Sequence, residues 1–241
     1  MSLDKIISKK IAANLTASVI SADPSTDLEQ QLWAINWFDL KRKWVYDLYN
    51  QLVFSHVKKI GATPIFKGQL KRSLIDSERL RRDMLLIVQY PKGIAFLNMI
   101  SSKLFQLKGL LRASSVRHFQ FGFMQRKSPV QDHQVAGTIY QGKLRYLVHV
   151  CEGSQAADFQ SLIDFAASQD VFPHFVGNKS AMLGLQKSNS GLKTLDFMLN
   201  HVLVFSGFDD ESLELFVQSG PYQEFLASKT NNYVGLFDRK I

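Results

Sequence analysis

The sequence has a single cysteine, Cys151, among its 241 residues, and it contains no long apolar run. One cysteine cannot form an internal disulfide and offers no cluster for zinc, so we expect a reducing, cytoplasmic location. Its neighbours on a predicted strand are Leu147, Val148 and Val150, which indicates a core side chain instead of a reactive thiol. No apolar run reaches the roughly eighteen residues of a membrane span. The sequence therefore predicts neither a transmembrane segment nor a membrane partner.

Signatures of nucleotide and metal binding are also missing from the sequence. There is no glycine-rich phosphate loop, P-loop spacing or G-x-S-x-G motif, which argues against nucleotide hydrolysis and serine hydrolase chemistry. No histidine pair has H-x-x-x-H spacing, and no cysteine or carboxylate accompanies the histidines. Four of the six histidines fall in a predicted helix or near loops and are interpreted as incidental: His56, His118, His133 and His174. We expect neither a metal nor another cofactor.

Acidic residues are scarce in the first part of the chain. Residues 1–130 hold 21 Lys and Arg against 9 Asp and Glu, whereas residues 131–241 hold 8 against 12. The densest basic cluster lies between Lys67 and Arg82. Such a cluster can bind nucleic-acid phosphates by releasing counterions, but acidic residues interrupt it and the two halves can attract each other. Nucleic acid is therefore not the expected partner, and a non-enzymatic interaction module that uses the Lys67–Arg82 loop is an alternative.

An internal repetition is the main positive feature of the sequence. The stretch 83–127 predicts an apolar strand, a turn, an amphipathic helix and a second strand, and the stretch 196–240 repeats that order. Smaller details recur as well: Ser102-x-x-Phe105-Gln106 is answered by Ser219-x-x-Tyr222-Gln223, and Arg126-Lys127 by Arg239-Lys240. The repetition predicts architecture more firmly than it predicts chemistry.

Each repeat opens with an apolar strand and a helix. The segment 32–40 (LWAINWFDL) predicts a strand covered on both faces, and it aligns without a gap with 145–153 (RYLVHVCEG). The helix that follows the first strand is predicted to bury Trp44, Leu48, Leu52, Val53, Val57 and Ile60. The next strand in each repeat contains proline and glycine, at Pro64 and Gly68 or at Pro173 and Gly177, which predicts an edge strand.

The resulting order β-α-β-β-α-β is that of a ferredoxin-like unit, whose sheet has one open face. The strands at 85–88 and 202–205 are apolar throughout, so we expect the open faces to cover each other. The predicted fold class is α+β, with two tandem ferredoxin-like repeats packed sheet to sheet as an intramolecular α+β barrel. The predicted domains are an N-terminal helical arm and linker at 1–30, repeat 1 at 31–127, a linker at 128–137 and repeat 2 at 138–241.

The first repeat resembles the dimeric α+β-barrel superfamily and, within it, small bacterial domains of unknown function. The residues that carry the resemblance are Tyr90-Pro91, Ala95-Phe96, Met99, Phe105-Gln106 and Arg112. The second repeat departs from this pattern, with Phe205-Ser206, Ser212-Leu213 and no Arg at the matching distance from Tyr222-Gln223. The resemblance implies that one chain forms the barrel that two chains form in single-unit relatives, as a monomer with an internal pseudo-dimer or as a homodimer of it.

Candidate ligand-binding residues are polar or aromatic side chains on the predicted central strands and the helix after them: Asn36, Gln89, Tyr90, Arg112, His149 and His201. Asn36 and His149 fall at the same position of the aligned strands. A buried polar group must be paired, either by a ligand or by the core. We expect a small aromatic or anionic ligand between the repeats. The alternative is a cofactor-free monooxygenase or isomerase with His149 as the proton shuttle.

Overall fold

The computed structural model describes residues 15–21, 28–127, 144–153, 159–187, 193–194 and 196–240. The N-terminal half contains, in chain order, β1 (Leu15–Ser21), β2 (Leu32–Leu40), α1 (Lys43–Lys59), β3 (Thr63–Ile75), β4 (Met84–Tyr90), α2 (Gly93–Ser101), α3 (Lys103–Ser115) and β5 (Val116–Arg126). The C-terminal half contains β6 (Arg145–Glu152), α4 (Phe159–Ser168), β7 (Phe172–Lys187), β8 (Lys193–Thr194), β9 (His201–Gly207), α5 (Asp210–Gln218), α6 (Gly220–Ala227) and β10 (Asn231–Arg239). Within these residues, no helix is long and apolar enough to cross a membrane.

The strands follow the hydrogen-bonded order β1-β7-β5-β2-β4-β3-β10-β6-β9, and β7 also pairs with β9. This additional pairing closes eight of the strands, β2 to β7 with β9 and β10, into an antiparallel barrel. The predicted α+β fold class is therefore confirmed, and the element order is consistent with two ferredoxin-like repeats.

The N-terminal arm is not helical where the structure describes it. Residues 15–21 form β1, which pairs antiparallel with the end of β7, from Leu15 opposite Lys187 to Ser21 opposite Ala181. The β-branched Thr16, Val19 and Ile20 favour an extended backbone. Pairing with β7 provides hydrogen-bond partners for that extended backbone. The helical prediction is therefore wrong for this segment. Residues 1–14 of the predicted arm and the predicted linker at 128–137 lie outside the described residues.

Two strands predicted to lie at sheet edges have neighbours on both sides. β3 lies between β4 and β10, and β7 pairs with both β9 and β1. Pro64 precedes the segment of β3 that pairs with β10, which begins at Gly68. Pro173 lies at a register shift in the β7–β9 pairing. The sheet thus accommodates each proline near a strand start, where a missing N–H disturbs little of the ladder.

The predicted buried face of α1 is wrong for its first half. Val45, Tyr46, Tyr49 and Val53 are buried, whereas Trp44 is 71% exposed, and Leu48 and Leu52 are each 40% exposed. Two stripes offset by one residue are apolar in this helix, so periodicity alone could not distinguish them. The prediction chose the stripe without tyrosines, but the tyrosines belong to the core.

The chain divides into two compact units. Among the described residues, unit 1 comprises those up to Ile65, Met84–Met124 and Ser180–Phe197, and unit 2 comprises the others. The core of unit 1 lies between its strands and α1 to α3, and includes Ala34, Phe38, Val88, Phe96 and Phe123. The core of unit 2 lies between its strands and α4 to α6, and includes Leu147, Ile163, Phe205, Phe216 and Tyr222.

Each unit has a serine where the sequence suggested a continuous helix. Ser102 separates α2 from α3, and Ser219 separates α5 from α6, both with extended backbone angles. The hydroxyl of Ser102 donates to the Met99 carbonyl at 2.8 Å, and that of Ser219 donates to the Phe216 carbonyl at 2.7 Å. The recurring Ser-x-x-aromatic-Gln motif therefore marks the same helix junction in both units.

Candidate ligand site

Asn36 and His149 occupy corresponding positions in the two units, as their alignment predicted. Asn36 of β2 lies opposite Leu86 of β4 and Phe121 of β5. His149 of β6 lies opposite Leu203 of β9 and Val234 of β10. Because side chains alternate along a strand, each residue shares a strand face with apolar residues of the helix-covered core. The two units therefore place different polar groups at the same point of one architecture.

In unit 2 both ring nitrogens of His149 have hydrogen-bond partners within the protein. His149 is completely buried, and its Nε2 lies 2.9 Å from Oδ1 of Asn232, whose Nδ2 donates to the Leu226 carbonyl at 3.0 Å. The Asn232 oxygen therefore accepts from His149 Nε2–H. His149 Nδ1, 3.0 Å from the Tyr222 hydroxyl, is left to accept. Burial lowers the pKa of His149 to about 4, which agrees with a neutral ring.

Unit 1 lacks both of these partners. Tyr222 lies three residues after the junction serine of unit 2, and Phe105 lies three residues after that of unit 1, so the two correspond. Asn232 lies two residues before the strand partner of His149, and Phe119 lies two residues before the strand partner of Asn36, so these two correspond as well. Neither phenylalanine can hydrogen-bond to Asn36. Within the described part of the chain, the Asn36 side chain makes one hydrogen bond, from Nδ2 to the Leu86 carbonyl at 3.3 Å. The amide oxygen of Asn36 is thus available to a donor that the protein does not supply.

Arg112 brings a positive charge to a group of tyrosines in unit 1. Its guanidinium lies 4.5 Å from the ring centre of Phe119 and 6.0 Å from that of Tyr49. Burial raises the pKa of Tyr46 and of Tyr90, and the charge of Arg112 opposes this rise at both. Among the described residues, no carboxylate lies within 4.0 Å of the Arg112 guanidinium.

Aromatic contacts connect this group to the strand that carries Asn36. Tyr90 meets Phe96 edge to face, with ring centres 5.0 Å apart. Phe96 stacks on Phe121 at 5.4 Å, and Phe121 lies opposite Asn36 in the sheet. Such rings offer flat apolar surfaces at favourable stacking distances. We name the set Asn36, Tyr46, Tyr49, Tyr90 and Arg112 the unit 1 polar cluster.

The remaining predicted site residues do not join this cluster. Gln89 alternates with Tyr90 along β4, so it lies on the opposite face of the strand and opposite Trp33. His201 belongs to unit 2, where its Nδ1 lies 2.9 Å from the Asn178 amide oxygen and its ring meets Phe159 at 5.1 Å. His201 and His149 share the helix-covered face of the sheet. The six predicted residues are therefore divided between two units and two strand faces.

A lysine in unit 2 takes the place that Arg112 has in unit 1. Lys229 follows Gln223 at the distance at which Arg112 follows Gln106. It is 8% exposed, and its ammonium lies 4.9 Å from the ring centre of Phe225. The charge of Lys229 lowers the pKa of His149 further and opposes the burial that raises the pKa of Cys151 to about 12. A search for any cation at this spacing would have found Lys229 in the sequence.

The basic segment is less available to partners than its composition suggests. Lys67, Lys71 and Arg72 lie on β3 and not in a loop. In unit 2, ion pairs join Lys71 to Asp210 and Arg72 to Glu214, and Arg79 lies 3.2 Å from Glu152. Basic residues encoded in the first half thus contact acids encoded in the second. This pairing favours internal attraction over nucleic-acid binding.

Because these ion pairs are solvent-exposed, each should contribute little to stability. We expect Asp210→Asn and Glu214→Gln each to lower the free energy of unfolding by less than about 1 kcal/mol. The differences from wild type should shrink further in high salt, which screens exposed charges. Urea denaturation at low and high NaCl measures both effects. A salt-independent loss well above that value would show that the pairs act as a buried network.

Comparisons with known proteins add little beyond the fold. No family model and no curated protein matches the sequence. A protein of unknown function from Rhodopseudomonas palustris is 19% identical and covers 44% of this chain and 88% of its own, with a TM-score of 0.40. An anthrone oxidase-like protein is 13% identical over 93% of this chain and 95% of its own, with a TM-score of 0.47. A mutant chlorite dismutase from Candidatus Nitrospira defluvii is 12% identical over 88% of this chain and 93% of its own, with a TM-score of 0.46.

The strand topology by itself defines the α+β-barrel class that the sequence suggested. With identities of at most 19% and TM-scores of at most 0.47 among these structures, the likenesses carry no statement about activity. The narrower bacterial family and the duplication of the unit remain predictions.

Proposed function

We propose that unit 1 binds a small aromatic anion between its strands and helices, and that the unit 1 polar cluster forms the site. The observation that carries the proposal is the contrast between corresponding positions. His149 makes two hydrogen bonds with its own chain, whereas phenylalanines stand at the corresponding partner positions in unit 1. Arg112 lies against one of them, Phe119, and among the described residues no carboxylate lies within 4.0 Å of its guanidinium. A cation without an ionic partner beside buried phenols is suited to a negatively charged ring compound.

Each residue of the cluster has a distinct role in this proposal. Arg112 pairs with the anionic group, since a guanidinium offers two parallel N–H donors to a carboxylate. Tyr49 and Tyr90 flank the ligand ring with aromatic surface and can donate their phenolic protons. Asn36 accepts from a hydroxyl or amine on the ring. These are binding and positioning roles, and they assign no reaction.

The alternative of an oxygenase or isomerase that uses His149 as a proton shuttle has weaker support. Both ring nitrogens are engaged within the fold, and the residue is completely buried. A pKa of about 4 makes the ring a poor base near neutral pH. We therefore assign His149 a structural role, and we include His201 in it because its Nδ1 is held by Asn178.

Replacing Arg112 should remove most of the affinity for the anion. We expect benzoate and 2-naphthoate to bind the wild-type protein and Arg112→Met to weaken this binding about tenfold or more, because a charged hydrogen-bond pair is worth roughly 1.5–3 kcal/mol. Isothermal titration calorimetry measures the change. The control is Arg117→Met, which removes an exposed arginine of the same unit and should leave binding unchanged.

Neutral amides of the same shape as the acids show whether the protein recognises the negative charge or only the apolar ring. Benzamide and 2-naphthamide should bind more weakly than the corresponding acids in the wild type, and equally weakly in Arg112→Met. If acid and amide bind wild type alike, or if Arg112→Met retains full affinity for the acid, Arg112 is not the anion site and the proposal fails.

A further inference from the structure

Large apolar side chains are exposed mainly on two helices of unit 1. Of the eight exposed large hydrophobic residues among those described, one, Leu215, belongs to unit 2. The other seven are Trp44, Leu48, Leu52 and Phe54 on α1 and Leu104, Leu107 and Leu110 on α3. A cluster of this kind on a folded surface marks an interaction site, since single exposed apolar residues are normally scattered.

The two helices form one continuous surface. α1 and α3 pack side by side, and Lys108 of α3 donates to the Leu52 carbonyl of α1 at 2.6 Å. The same ammonium lies 3.1 Å from Nδ1 of His56. We name this face the α1/α3 surface. Its apolar residues therefore present a joint patch, with Trp44 near the start of α1.

The charge of the α1/α3 surface is strongly positive. The two helices carry six basic residues, of which Arg112 belongs to the unit 1 polar cluster, and one acidic residue, Asp47. Without Arg112 the balance of the two helices is five basic residues against one acidic residue, or +4. The corresponding layer in unit 2, formed by α4, α5 and α6, carries five acidic residues and no basic ones, a balance of −5. Two layers of similar architecture thus have opposite charge, and of the two the basic one is rich in exposed apolar side chains.

We propose that the α1/α3 surface adsorbs to an anionic lipid bilayer. Helices that lie at a bilayer surface combine Trp, Phe and Leu on one side with Lys and Arg beside them. Tryptophan favours the headgroup region, and lysines near an anionic leaflet are attracted to its negative surface potential. A nucleic acid would satisfy the charges but offer little apolar phase to the leucines. Adsorption to a bilayer surface needs no membrane-spanning helix, so the expectation of no transmembrane segment is unaffected. The proposal changes only the expectation of no membrane partner.

Tryptophan fluorescence gives a direct readout of this contact. The sequence has three tryptophans. Trp33 and Trp37 are 9% and 0% exposed, so Trp44, at 71%, is the one that can change its environment on adsorption. Vesicles of phosphatidylcholine with about one third phosphatidylglycerol should shift the emission to the blue and carry the protein upward in flotation. Pure phosphatidylcholine vesicles should do neither, and high salt should release the protein.

Surface variants distinguish adsorption from other occupants of the patch. Leu48→Ser with Leu52→Ser, and separately Lys58→Gln with Lys59→Gln, should each reduce flotation severalfold, whereas Leu215→Ser in unit 2 should not. Trp44→Phe should abolish the blue shift and retain most of the flotation. The proposal is overturned if anionic vesicles fail to bind, or if neutral vesicles bind equally well. It is also overturned if the protein forms a dimer that Leu48→Ser dissociates and that does not bind vesicles.

Discussion

Acidification from pH 6.5 to pH 4 should lower the free energy of unfolding by about 3 kcal/mol through His149 alone. In the unfolded chain the ring protonates near pH 6.5, whereas in the folded protein burial delays protonation until about pH 4. Between these values the unfolded state binds more protons, so stability falls as pH falls. Above the unfolded pKa both states are neutral, and the contribution of His149 is constant.

Chemical denaturation at a series of pH values measures this effect. His149→Gln removes the titrating ring, so its stability should depend less steeply on pH in this window, whatever its absolute stability. The control is Leu162→Ala, which truncates a buried core side chain of the same unit without removing a titrating group; this variant should be less stable than wild type but keep the wild-type slope. An unchanged slope in His149→Gln would refute the assignment of a buried, neutral ring.

The second large effect is expected at Gly122 of β5. A Cβ atom at this position would lie 2.0 to 2.4 Å from ring atoms of Phe197, far inside van der Waals contact. Phe197 is itself 4% exposed, so its ring has little room to withdraw. Gly122→Ala should therefore lower the free energy of unfolding by about 3 kcal/mol, the upper part of the range for overpacking.

A double-mutant cycle tests the cause. Phe197→Ala alone should cost about 3–5 kcal/mol as a core truncation. In that background Gly122→Ala should cost almost nothing, because the ring that its methyl group meets is gone. Additive costs in the double variant would place the strain elsewhere, for example in the backbone of β5.

The sequence predicted the architecture better than it predicted the partners of polar residues. The alignment of LWAINWFDL with RYLVHVCEG placed Asn36 and His149 at equivalent points, and the strand pairing confirms that register. The groups that hold His149, however, come from α6 and β10, more than 70 residues away in the chain. Such long-range contacts leave no local pattern to detect, so the sequence could offer His149 as a candidate proton shuttle but could not show the hydrogen bonds that hold its ring.

Local ambiguity explains the other differences. In α1 the buried residues Tyr46 and Tyr49 compete with the apolar stripe of Trp44, Leu48 and Leu52, and tyrosine is apolar enough to be core when its hydroxyl is accommodated. The segment at 15–21 fits either a helical or an extended pattern, and pairing with β7 determines the outcome. In both cases tertiary contacts decided between two locally acceptable structures.

The proposed ligand site of unit 1, in which Arg112 has no carboxylate partner among the described residues, can be tested most directly by a crystal structure with 2-naphthoate bound. The account predicts one ligand per chain, with its carboxylate on the Arg112 guanidinium and its ring beside Tyr49 and Tyr90, while Tyr222 and Asn232 remain on His149. A carboxylate seated on Lys229 in unit 2, or a crystal soaked at saturating ligand with protein side chains filling the space around Arg112, would contradict it.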